Sequence, residues 1–75
     1  KWEILGIDKY NKVRIEIYNR WGDLIFNHNG TGYEYMLSPW DGTYKGRELP
    51  ISSYVYIIDF YDEHETEQGV VTIKK

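Results

Sequence analysis

The stretch Lys12-Val13-Arg14-Ile15-Glu16-Ile17-Tyr18 alternates strictly, with Val13, Ile15 and Ile17 on one face and Arg14, Glu16 and Tyr18 on the other. Strict alternation is the signature of a half-buried β-strand, because successive side chains of a strand point to opposite faces. Asp23-Leu24-Ile25-Phe26-Asn27-His28 reads as its antiparallel partner. Asn19-Arg20-Trp21-Gly22 lies between them, with Asn suited to the first position of a type I turn and Gly to a left-handed residue. The spacing predicts a hairpin.

Working outward, Trp2-Glu3-Ile4-Leu5-Gly6-Ile7 reads as a shorter first strand, closed by the polar segment Asp8-Lys9-Tyr10-Asn11. On the other side, residues 27–32 are rich in turn formers and predict a loop. Tyr33-Glu34-Tyr35-Met36-Leu37 is expected as a brief edge strand, and Ser38-Pro39-Trp40-Asp41-Gly42 as another turn. Tyr54-Val55-Tyr56-Ile57-Ile58-Asp59-Phe60 is the most apolar segment and reads as the central strand, buried on both faces for part of its length. Gln68-Gly69-Val70-Val71-Thr72-Ile73-Lys74 pairs with it across an acidic turn. The composition agrees: alanine is absent, while nine Ile, four Val, four Thr and eight Tyr favour a pleated surface over a helix.

With 75 residues, one domain covering 1–75 is the expectation, and its hydrophobic margin over conformational entropy is thin. Aromatic side chains, 17% of the chain, supply the bulk that so short a chain needs for a core. The absence of cysteine excludes a disulfide framework, a Cys-based zinc site and thiol catalysis. The net charge of −3 argues against nucleic acid, whose phosphates call for clustered Lys and Arg. No apolar run is long enough for a transmembrane segment, and none reads as a signal peptide.

Chemistry-bearing groups are few. His28 and His64 fall in expected turns. The run Asp62-Glu63-His64-Glu65-Thr66-Glu67 fits neither a calcium loop nor a histidine zinc motif, and reads as a solvated hairpin tip whose charge discourages edge pairing. Asn29-Gly30-Thr31 is a sequon of a kind common by chance. No cofactor or metal is expected, and an enzyme is disfavoured. Trp2, Trp21 and Trp40, with several tyrosines, are alternatively a stacking platform for sugar rings or core residues of a small sandwich.

Three clusters in order carry a resemblance to a known family. Asn19-Arg20-Trp21-Gly22 is followed by Trp40-Asp41-Gly42-Thr43-Tyr44, with Gly46 and Leu49-Pro50 spaced after it, leading into Tyr54–Asp59; the chain closes with Gly69-Val70-Val71-Thr72-Ile73-Lys74. This set resembles the gliding-motility-associated C-terminal domain, the type B sorting domain of type IX secretion, across essentially the whole chain. The middle stretch is also similar to the Ig-like module of flagellar hook-capping proteins. Asn19, Gly22, Gly42, Gly46, Pro50 and Gly69 are the turn residues of the shared motifs. Two departures stand out. The family's Pro-Asn-Gly-Asp-Gly type segment before the first tryptophan has no counterpart, so the chain is expected to begin inside the domain. Ile51-Ser52-Ser53 replaces the glycine favoured after the proline.

The fold implied is all-β, a small Ig-like antiparallel sandwich of about five to seven strands, truncated at its N-terminus. The function implied is addressing: a cargo protein fused N-terminal to the domain is carried by the type IX outer-membrane machinery to the cell surface or exterior. Arg20 and Trp21 at one hairpin tip, with Trp40 and Asp41 in the second turn, are the candidate recognised surface, since Trp and Arg anchor small interfaces. The weightier reading for Trp40 is that it plugs one end of the sandwich while Asp41 and Gly42 merely make the turn. The last strand offers an edge for backbone pairing with a partner. A missing first segment would leave an unpaired edge, so a monomer or a weak edge-mediated dimer is expected. The alternative from another class is a carbohydrate-binding Ig-like module of a surface adhesin or glycanase.

Overall fold

The computed structural model describes residues 2–50, 52–61 and 66–72. The acidic turn with His64, the substitution at Ile51 and the end Ile73-Lys74-Lys75 lie outside the described residues. The main sheet is built from β1 (Val13–Tyr18), β2 (Leu24–Gly30), β5 (Ser53–Asp59) and β6 (Glu67–Thr72) in the order β2-β1-β5-β6, antiparallel throughout. A second, two-stranded ribbon pairs β3 (Thr43–Tyr44) with β4 (Arg47–Glu48). The all-β class expected from the alternation is the architecture observed.

The decisive alternation holds. Val13, Ile15 and Ile17 are fully buried, and the register sets Ile15 opposite His28 and Ile58, and Ile17 opposite Phe26 and Tyr56. At the end of the β1–β2 pair the register shifts between Ile17 and Tyr18, leaving Ile25 as the extra residue of a bulge. Both Ile25 and Phe26 thereby reach the core beside Trp40. β5 is central in the sheet, but it buries chiefly one face: Tyr54 and Ile58 point inward, whereas Val55 is exposed. The hydroxyl of Tyr54, at the start of β5, donates 3.0 Å back to the Pro50 carbonyl, in the manner of the tyrosine corner of Ig-like sandwiches.

Two expected strands are replaced. Trp2–Ile7 is not a strand: Gly6 takes the left-handed conformation (φ 80°), which ends any extended run, and Ile7–Lys9 forms a 3₁₀ turn that drives Ile7 into the core. Tyr33–Leu37 belongs to a short helix, α1 (Gly32–Leu37). Its cause is local: Thr31 Oγ1 accepts from the Glu34 amide at 3.0 Å while the Thr31 amide donates to Glu34 Oε1 at 2.9 Å, a complete capping box. The expected loop at 27–32 is shortened from the same side, because β2 continues through Asn27–Gly30 in register with β1 and the cap takes over at Thr31.

The inner face of the sheet is therefore covered by Ile7 and Tyr35 over one half and by Trp40 and Leu49 over the other. α1 can approach the 3₁₀ turn because residue 32 is glycine. The amide of Gly32 donates to the Tyr10 carbonyl at 3.0 Å, and a Cβ there would lie 1.7 Å from the Ile7 carbonyl oxygen. Tyr35 completes the junction. Its hydroxyl donates to the Trp2 carbonyl at 2.8 Å and accepts from the Trp40 amide at 3.3 Å, and the Trp2 amide donates to the Trp40 carbonyl at 2.7 Å.

Gly32→Ala must displace backbone rather than a flexible side chain, so a loss of about 3 kcal/mol is expected, the upper end for overpacking. In a chain of this size that lowers the thermal midpoint by roughly 10–20 °C, read by circular dichroism. Tyr35→Phe orphans the Trp2 carbonyl and the Trp40 amide and should cost about 1–3 kcal/mol. Burial raises the Tyr35 phenol above its ordinary value of 10.0, against the opposing bond from Trp40. The unfolded chain then ionises first: the contribution is present below pH 10 and lost as pH rises through the folded value. Between those limits, stability of the Phe variant should fall less steeply with pH than that of the parent, as urea titrations will measure.

Candidate functional site

The Asn19–Asp23 turn presents its side chains at one end of the sheet. Gly22 donates its amide to the Asn19 carbonyl at 3.1 Å and sits at φ 85°, so the expected turn chemistry is realised. The Asn19 side chain organises the rest. Its Oδ1 accepts from the amides of Trp21 (3.0 Å) and Asp23 (2.9 Å), and its Nδ2 donates to Asp23 Oδ2 at 3.1 Å. On this frame Trp21 is 74% exposed, with the Arg20 guanidinium 4.7 Å from its ring centroid. A cation–π contact at an exposed site contributes only about 0.5–1 kcal/mol, so it orients the pair more than it stabilises the fold.

The turn lies at the end of an apolar row that crosses the outer face of the sheet. The register sets Leu24 opposite Tyr18, Tyr18 opposite Val55, and Val55 opposite Val70, one residue from each strand. Leu24, Val55 and Val70 are exposed and Tyr18 is half-buried. Moving away from the turn, the next row is Asn27, Glu16, Ile57 and Gln68, and beyond it Arg14 pairs with Asp59 at 3.4 Å and Glu16 at 3.8 Å. The outer face thus grades from apolar at the turn to charge-compensated at the far end. Alternation alone places Tyr18 outward, but only the four-strand register lines it up with Leu24, Val55 and Val70.

The chain matches the CHU_C type IX secretion signal domain family over residues 1–73. It belongs to that family. Neither the curated proteins nor the solved structures give a match. A type IX secretion signal domain is a C-terminal sorting module, not a catalytic one; it marks the protein that carries it for export across the outer membrane to the cell surface or exterior, and so engages the secretion machinery. No helix among the described residues is long and apolar enough to cross a membrane.

The signal domain separates the four candidate recognition residues into two pairs. Trp40 is 3% exposed and packs with Ile17, Ile25 and Tyr54, its ring 6.0 Å from that of Tyr54. Its indole donates to the Thr43 carbonyl at 3.2 Å. Asp41 accepts from Thr43 twice, from the amide at 3.1 Å and the hydroxyl at 2.6 Å, and those two bonds hold its carboxyl below the ordinary value. Trp40 is thus the plug and Asp41 the residue that fixes the loop supporting it. Arg20 and Trp21 stand at the surface as a pair; Asp41 is exposed too, with its carboxylate taken up by Thr43. Trp2 packs into the core against Tyr56 at 5.0 Å, so the three tryptophans do not make one exposed platform. His28 is bound to the Thr31 carbonyl at 2.9 Å and lies edge-on to Tyr35, as a residue of the β2–α1 junction.

The motif residues serve the same scaffold. Gly42, just before β3, and Gly46, in the turn between β3 and β4, take left-handed conformations, Pro50 supplies the carbonyl bound by Tyr54, and Gly69 admits the Tyr56 ring, which a Cβ would meet at 2.6–2.8 Å.

The two tryptophans of the motif should respond oppositely. Trp40→Ala should cost about 3–5 kcal/mol as a large cavity opens in the core. Trp21→Ala should leave the urea midpoint within about 0.5 kcal/mol of the parent, as for other surface substitutions. Equal destabilisation by the two would show that Trp21 is part of the core.

Proposed function

We propose that this signal domain is recognised by protein–protein contact through the Asn19–Asp23 turn and the adjoining row of Leu24, Tyr18, Val55 and Val70. The observation that carries the proposal is that Trp21 is left largely in water while its turn is fixed by three bonds to the Asn19 side chain, one of them from the Trp21 amide. An indole this exposed contributes little to folding, and its rigid mounting reduces the entropy lost on docking. Trp and Arg are the residues most enriched among interface anchors, and the apolar row beside them supplies the contact that excludes water around such anchors. Trp40 and Asp41, which the sequence groups with them, act at a distance by holding the fold.

A reporter carrying this chain at its C-terminus tests the proposal in a type IX-secreting host. Arg20→Ala with Trp21→Ala, and separately Val55→Ser with Val70→Ser, should each reduce exported reporter by roughly tenfold or more, equivalent to the loss of about 1.4 kcal/mol in a binding step. The variants must keep the parent's circular dichroism and thermal midpoint. Unimpaired export of the folded tip variant would remove the turn as the recognised element.

A further inference from the structure

The opposite end of the molecule carries a second surface, formed by the chain just before the 3₁₀ turn. A depression of about 450 Å³ opens between residues 3–8 and α1, with Ile4, Leu5, Met36, Leu37 and Pro39 as its apolar lining. A smaller one of about 230 Å³ lies on the other side of the same strip, against Tyr10 and Phe60. Leu5 borders both and is 97% exposed; Leu37, across the larger depression, is 65% exposed. One exposed leucine is ordinary, but two flanking a concavity with a half-exposed Met36 between them make a patch of the kind that marks an interaction site.

The presentation of Leu5 is fixed. Ile7, two residues on, is buried at 1% exposure, and its amide donates to the Ile4 carbonyl at 3.4 Å. Lys9 donates its amide to the Gly6 carbonyl at 3.2 Å, and Gly6 itself is held at φ 80°. Leu5 therefore stands as a ridge between two hollows instead of folding over either.

Charge identifies what the hollows fit. Glu3 and Asp8 line the larger one with no cation among its lining residues; Glu67 and Lys9 line the smaller. Three carboxylates against one ammonium make the surface complementary to a partner that brings positive charge with its apolar side chains, and repel an acidic one. We propose that this groove docks an aliphatic segment of a partner protein bearing Lys or Arg, two of whose apolar side chains straddle Leu5 while a cation meets Glu3 and Asp8. The site shares no residue with the Arg20–Trp21 surface and stands or falls independently of it.

The test is titration of the isotopically labelled full chain with a short peptide of alternating Leu and Lys, followed by amide chemical shifts. Saturable shifts confined to the linings of the two hollows, residues 3–10, 35–39, 60 and 67, are expected. Affinity should fall roughly tenfold for the Leu–Glu and Ser–Lys counterparts and for Leu5→Ser, with the preference for Lys over Glu shrinking as salt rises. Leu5 is nearly fully in water, so its serine variant should keep the parent midpoint. Equal binding of the Glu peptide, undiminished binding by Leu5→Ser, or shifts centred on the outer sheet face would each overturn the proposal. So would the same shifts appearing on concentration without peptide, which assigns the groove to a second copy. Loss of peptide binding in a chain extended upstream of Lys1 assigns it to the protein's own polypeptide and overturns it equally.

Discussion

The Tyr35 hydroxyl ties Trp2, 33 residues away in sequence, to Trp40, five residues on. It donates to Trp2 and accepts from Trp40, while Trp2 and Trp40 bond directly through their backbones. The Trp40 amide, which is buried, would be left without a partner if Tyr35 lost its hydroxyl, and an unsatisfied buried polar group costs about 1–3 kcal/mol. The ring of Tyr35 is meanwhile part of the core cluster with Ile7, Val13, Ile15 and Ile58. One side chain thus closes the aromatic layer and supplies its polar contacts. Placing that hydroxyl requires α1 to lie close against the 3₁₀ turn, which in turn requires glycine at position 32. Packing of this kind does the work that cysteine bridges do in many small exported modules.

The division of the tryptophans follows from this arrangement. The sheet has one face to cover and few residues to cover it, so Trp2 and Trp40 pack inward, the Trp2 backbone bonded to Tyr35 and Trp40 and the Trp40 indole to Thr43. Trp21 sits beyond the last ladder pair of β1 and β2, on a turn whose hydrogen bonds close on themselves through Asn19. It belongs to neither core cluster. A large apolar residue at such a point has no folding role to explain it, whereas Trp40, in a motif of similar appearance, is fully explained by packing.

How much of this was legible in the sequence depended on whether the cause was local. The β1–β2 hairpin was, because alternation and the Asn–Gly turn chemistry reside in neighbouring residues. The pairing of β5 with β6 was too. α1 was missed although its signal is local: Thr31-Gly32-Tyr33-Glu34 is a capping box, hidden by the strand preference of two tyrosines. The Trp2–Ile7 segment has strand-forming residues, and what defeats them is the left-handed Gly6 and the demand for Ile7 in the core, a tertiary effect. The outer row was illegible for a different reason. Tyr18, Leu24, Val55 and Val70 become neighbours only through three strand registers, one of them offset by the bulge at Ile25. The same holds for Trp40 and Trp21, whose burial is set by the whole fold.

That non-local construction has a consequence for sorting. On the proposed recognition surface, the turn alone is a short linear element that an unfolded chain also contains, but the row beside it exists only when all four strands are in register. Recognition that needs both is recognition of a folded domain. Local fraying of β6, the edge strand carrying Val70, removes one quarter of the row while leaving the Arg20–Trp21 pair in place. Loss of the Tyr35 junction acts more widely, because it releases the layer that holds the inner faces of β1 and β5. Under the proposed recognition, a chain with a thin stability margin would carry its address in a form that reports its own folding, because the row is assembled by the same strand registers that bury Ile15, Ile17 and Ile58.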